Sequence, residues 1–280
     1  MVAAMAGFAM EDMFVKTVAL RIPIGEIMSF LGFAGALIFA MAALYRRDRL
    51  LSRDLLAGPV VARNLGELVG TIGFMLAVAL TPLAQASAIL QATPLAVTLG
   101  AALFLGEKVG WRRWSAILVG FAGVLVVIRP GFSGFDPLSL FAVIGVIGLA
   151  ARDVVTRKVP RSISSMQLST YAFATLVPAG FGTVAVMGQT LVLPDAADGA
   201  RLFGALIFGV AGYYALVAAM RIGDVAVITP FRYTRLVMAL FIGWLVFDEP
   251  ADTMTLLGGT IIVASGLYTL MREARLRPRR

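Results

Sequence analysis

Residues 225–250, VAVITPFRYTRLVMALFIGWLVFDEP, place Arg232 and Arg235 inside an otherwise apolar run of helix length. A guanidinium is a planar, permanently charged fork that meets a carboxylate with two parallel hydrogen bonds. In hydrocarbon such a charge costs roughly 2.5–3.5 kcal/mol on insertion scales, so it faces a bundle interior or a wet cavity. Three positions apart, the two arginines share one helical face, with Tyr233 beside them. The chemistry on offer is recognition of a small anionic or zwitterionic organic molecule. Gln91 and the Tyr213–Tyr214 pair are the other polar or aromatic groups at mid-helix, expected with the arginines to line a central cavity; Tyr171 is a further candidate. Glu11, Asp12, Glu67 and Asp153 are candidates for ion pairing or proton coupling, although neighbouring arginines oppose the raised carboxyl pKa that coupling needs. The competing structural role pairs Arg232 and Arg235 with the acids of helices one, three or six.

The elements that position these groups follow from composition. Hydrophobic residues make up 60% of the 280-residue chain and charged ones 14%, which is not a soluble pattern. At about 20 apolar residues per span, there is room for about ten membrane helices. They are expected near 2–20, 24–45, 58–80, 83–105, 112–128, 137–157, 164–187, 200–220, 225–247 and 255–271. The first stretch has no basic leader region or small-residue cleavage site, so it reads as a span rather than a signal peptide.

The net charge of +8 does not point to nucleic acid, because the basic residues fall in short alternate loops. One set holds Arg46, Arg47, Arg49, Arg53, Lys108, Arg112, Arg113, Arg157, Lys158, Arg161, Arg221 and the tail arginines; the other holds Arg21, Arg129 and Arg201. By the positive-inside rule both termini are cytoplasmic. Within the spans, Glu11 or Asp12 is expected to pair with Lys16, and Arg63 with Glu67 at i,i+4. Pro94 removes a backbone donor from helix four, so neighbouring groups or a hydrated cavity must satisfy the freed carbonyl. Gly120 and Gly123 suit helix five to close packing.

No cysteine and no histidine are present, which excludes disulfides and the common zinc and haem ligand sets. No GxxxxGK[ST] loop couples the chain to ATP. No cofactor or metal is expected. An integral-membrane enzyme lacks a recognisable nucleophile and base, and a membrane assembly component without turnover is the other alternative.

After residue 131 the chain starts again. EDMFVK at 11–16 aligns with RDVVTR at 152–157, putting Asp12 on Asp153 and Lys16 on Arg157; FMLAVAL at 74–80 aligns with YALVAAM at 214–220; AALFLGEK at 101–108 aligns with GWLVFDEP at 243–250, putting Glu107 on Glu249. A five-helix unit has an odd number of spans, so its second copy enters the membrane reversed. The expectation is an all-α integral membrane protein, two inverted five-helix repeats at 1–131 and 132–280 around a central cavity. That is an architecture of secondary transporters working by alternating access.

The segment ALTPLAQASAILQATPLAVTLGAALFLGEKVGWRRWSAILVGFAGVLVV at 79–127 resembles the EamA domain of the drug/metabolite transporter superfamily, and 219–270 resembles a second copy. The resemblance implies a bacterial inner-membrane transporter, monomeric or homodimeric, with helices five and ten peripheral. It implies export of amino acids, or alternatively, through the PFRYTRL segment, import of a larger metabolite such as S-adenosylmethionine or riboflavin. Two departures stand out. No arginine follows Pro23 in helix two, and helix nine carries Arg235-Leu236 where the first repeat has Thr93-Pro94, which moves the expected arginine site to helix nine.

Overall fold

A computed structural model describes residues 1–50, 56–107, 109–132, 134–160, 162–222 and 229–276. Lys108, Arg161 and the start of the expected ninth helix lie outside these residues. Among them there is no strand. The helices are α1 (Val2–Ala19), α2 (Ile24–Tyr45), α3 (Gly58–Leu80), α4 (Leu83–Leu90), α5 (Thr93–Phe104), α6 (Trp111–Ile128), α7 (Leu140–Thr156), α8 (Ser165–Val186), α9 (Ala196–Ile222), α10 (Thr234–Phe247) and α11 (Thr253–Leu276). Short 3-10 turns at Pro137–Ser139 and Thr229–Tyr233 precede α7 and α10.

Nine spans among the described residues are long and apolar enough to cross a membrane, with α4 and α5 together forming one of them. α1 adds an 18-residue helix, about 27 Å long at 1.5 Å per residue, whose Glu11, Asp12 and Lys16 set it apart. The chain is an all-helical integral membrane protein. Helix starts follow local capping chemistry: Ser164 and Gln167 form a reciprocal capping box on α8, and Asp252 accepts the Thr255 N–H at the start of α11. Asp195 accepts the Asp198 N–H at 2.8 Å in the same way on α9, which starts α9 four residues before the expected position. The Arg21 guanidinium first, and that N–H second, hold the Asp195 carboxyl down at about 2.

Helices pair across the halves, α1 with α9, α3 with α7, α2 with α8, and α6 with α11. At each pairing two glycines meet: Gly7 with Gly212, Gly70 with Gly148, Gly25 with Gly180, and Gly123 with Gly258. A Cβ on Gly7 would lie 2.8 Å from Gly212 Cα, and one on Gly258 2.6 Å from Gly123 O. Small residues let backbones approach where the hydrophobic effect gives no drive between helices. Exchanging the halves maps this set of pairings onto itself.

Candidate functional site

The expected helix over 83–105 is two helices. α4 stops at Leu90 and α5 starts at Thr93, because Pro94 cannot donate to the turn behind it. Thr93 Oγ1 repairs the break by donating to Leu90 O at 2.6 Å. Within the expected helix over 225–247, residues Thr229–Tyr233 instead form a 3-10 turn that carries Arg232, and Arg235 lies in the first turn of α10. Thr234 Oγ1 donates to Phe231 O at 2.7 Å, the same repair three residues back. Thr93 therefore matches Thr234 and Pro94 matches Arg235, one position off the alignment expected from sequence.

The two breaks touch. Gln91 Nε2 donates to Arg232 O at 3.4 Å across a sequence separation of 141, the offset that superposes Asp12 on Asp153. Gln91 is buried. Discontinuous helices at matched positions of two halves are where secondary transporters hold solutes, since unwound backbone at membrane depth is tolerated only in protein or against a cavity.

Charges surround this junction in two groups. Arg235 grips Asp12 with its fork, Nε to Oδ2 at 3.0 Å and Nη2 to Oδ1 at 2.8 Å. The rings of Phe8 and Phe74 lie 5.3 and 4.9 Å from the guanidinium, adding cation–π attraction. Glu11 turns to the other side of α1, and its carboxylate fills the space beside Gly209 of α9. Among the described residues, no cation bonds Glu11.

The second group lies between α3 and α7. Arg63 pairs with Glu67 at 2.7 Å as expected, and Arg152 joins Glu67 and Asp153 at 2.8 Å each. Arg232 sits in the field of Asp153, Arg152 and Arg235. Among the described residues, no carboxylate bonds its guanidinium. Arg152 is a residue that sequence reasoning passed over. It stands in the second half where Glu11 stands in the first, inside the RDVVTR match already quoted, and that reversal of sign was the signal.

Lys16 does not pair with Glu11 or Asp12. One helical turn past Asp12, it reaches the end of the bundle, bonds Glu249 at 2.9 Å and donates to Thr81 O at 2.6 Å. Glu249 also accepts the Leu83 N–H. At the opposite, arginine-rich end, Arg157 pairs with Glu107.

The tyrosines scatter. Tyr233 is 6% exposed, its hydroxyl against Gly266 of α11. Tyr214 is 72% exposed on the outside of α9. Tyr213 shares a 2.5 Å hydrogen bond with Ser169 and sets its ring edge-on to Phe39, within the α2–α8–α9 side of the bundle. Tyr171 donates to Leu50 O. The structure thus joins Gln91 to Arg232 and Asp12 to Arg235, sets Glu11 against α9, and leaves Tyr214 on the outside of the bundle.

The EamA-like transporter family matches the chain twice, over residues 1–129 and 137–271. The chain belongs to the EamA-like transporter family. Among its relatives, a riboflavin transporter from Rhizobium johnstonii is 26% identical over 88% of this chain and 81% of its own length. An S-adenosylmethionine uptake transporter from Rickettsia prowazekii is 25% identical over 95% and 90%. A pseudopaline exporter from Pseudomonas aeruginosa is 28% identical over 92% and 90%. A crystal structure superposes with a TM-score of 0.61 at 18% identity, covering 99% of both chains, so the two share a fold over their whole length.

Proposed function

We propose that this EamA transporter carries a zwitterionic organic metabolite across the bacterial inner membrane by alternating access, without ATP, with both termini cytoplasmic. One observation carries the substrate class. Beside the contact of Gln91 with the 3-10 turn is one cation, Arg232, and on α1, facing Gly209 of α9, is one anion, Glu11; no charged partner bonds either among the described residues. A solute with a carboxylate for Arg232 and an ammonium for Glu11 neutralises both at once, and a desolvated site makes each pairing selective. Arg235, fully engaged by Asp12, positions α10 against α1 rather than binding solute.

The relatives' names shift the weight within that class. Uptake of S-adenosylmethionine, itself an amino-carboxylate on a bulky group, fits the two poles and ranks ahead of free amino acids; the likeness to a pseudopaline exporter favours outward movement as the second reading. Inverted repeats at 1–131 and 132–280 are supported by the twofold family match, by pairings that survive exchange of the halves, and by the matched turns at Gly106 and Asp248, whose φ values are 67° and 51°.

The test is flux into liposomes holding the purified protein. Saturable uptake of S-adenosylmethionine or an amino acid is expected, whereas chemical conversion would indicate an enzyme and neither would indicate an assembly component. Arg232→Gln is expected to weaken apparent affinity by roughly tenfold to a hundredfold. Glu11→Gln should weaken the zwitterion but spare its deaminated analogue. Equal loss of both solutes in Glu11→Gln would remove the ammonium subsite.

A further inference from the structure

A groove lies on the outer flank of the bundle, between α6 and α11. α6 and α11 cross tightly where Gly123 meets Gly258. On the arginine-rich side of that crossing they leave a groove of about 420 Å³, lined on α6 by Trp111, Arg112, Ser115 and Val119, and on α11 by Ile261 and Tyr268 among others. From residue 119 to residue 111 it spans about two turns, roughly 12 Å at 1.5 Å per residue. Its deep end is aliphatic and its mouth holds a tryptophan, a tyrosine and an arginine.

That gradient is the profile of the bilayer itself. Trp and Tyr sit at headgroup level in membrane proteins. Val119 and Tyr268 stay half-exposed and Trp111 mostly exposed, which places the groove on the lipid-facing surface. The Arg112 guanidinium stacks 5.2 Å over the Trp111 ring, which holds the cation at the mouth. Arg272 follows Tyr268 by one helical turn on α11. Among the described residues, no acidic side chain lines the groove.

We propose that this groove binds one anionic phospholipid, an acyl chain lying between α6 and α11 and the headgroup phosphate on Arg112. Basic pockets between membrane helices on the cytoplasmic side take anionic headgroups, and stacking on Trp111 leaves the guanidinium edge free for phosphate oxygens. A second copy of the chain is the poorer occupant, because a two-fold contact through this face would set Arg112 and Arg272 against their own copies.

The experiment uses the full chain in nanodiscs of mixed phosphatidylglycerol and phosphatidylcholine, released into native mass spectrometry. Wild type should retain phosphatidylglycerol over phosphatidylcholine by about fivefold, the scale of one interfacial arginine charge. Arg112→Glu should abolish that preference, and Ser115→Trp, which fills the groove, should lower retention of both lipids, each at an unchanged melting temperature; Arg112→Gln serves if the reversal prevents folding. A photocrosslinker at Val119 should label lipid. Equal retention of the two lipids by wild type, an unchanged preference in both Arg112 variants, or a Val119 adduct with a second copy would overturn the site.

Discussion

Arg235→Ala should destabilise the protein by about 3–5 kcal/mol, the cost of leaving one member of a buried ion pair alone. The Arg235 and Asp12 side chains are 16% and 7% exposed, and the pair joins α10 to α1 by both edges of the carboxylate. Removing the guanidinium strands the Asp12 charge between Phe8, Phe74 and the neighbouring Glu11. The double variant Arg235→Met, Asp12→Leu should recover most of the melting temperature, since apolar replacement of a buried pair is often neutral. Arg235→Lys keeps the charge but gives up one arm of the fork, so it should also melt lower. These outcomes separate positioning from binding. A wild-type melting temperature in Arg235→Ala together with lost flux would return Arg235 to the solute site and leave Asp12 without its partner.

Much of this architecture was legible in the sequence because membrane helices are written in long apolar runs and charged loops. The spans over α2, α3 and α6 begin and end within about a residue of expectation, and the Arg63–Glu67 pair follows from helical spacing alone. What periodicity could not read was interruption. The 3-10 turn at Thr229–Tyr233 contains Pro230, yet it stands between VAVI at 225–228 and the apolar α10, so hydropathy averaged over a span runs straight through it. The Tyr233 hydroxyl at the end of that turn lies against Gly266. Pairing across the halves was hidden for another reason. Lys16 and Glu249 are far apart in sequence, and only the packing of α1 against α10 decides that Lys16 passes its near neighbours for a distant acid. The repeat alignment already held the clue, because it puts Lys16 on Arg157 and Glu107 on Glu249.

That correspondence leads to the largest expected effect on transport. The Lys16–Glu249 bridge at one end of the bundle and the Arg157–Glu107 bridge at the other exchange when the halves exchange, which is the relation two alternating gates must have. They differ in environment here. Lys16 is 7% exposed and further held by Thr81 O, whereas Arg157 and Glu107 are 48% and 42% exposed. On the proposed alternating-access cycle, the bridge with the buried lysine is the harder to open. The cysteine-free chain allows each gate to be locked separately. A short thiol-cleavable bismaleimide linking Lys16→Cys to Glu249→Cys, and likewise Glu107→Cys to Arg157→Cys, should in each case stop flux, with recovery when the linker is cleaved, while either single cysteine leaves flux measurable. Solute bound to protein locked at 16 and 249 should exchange only with the arginine-rich side, and the other lock should reverse that sidedness. Full flux through either locked pair would show that the bridge does not separate from its partner during the cycle, and alternating access would then need different gates.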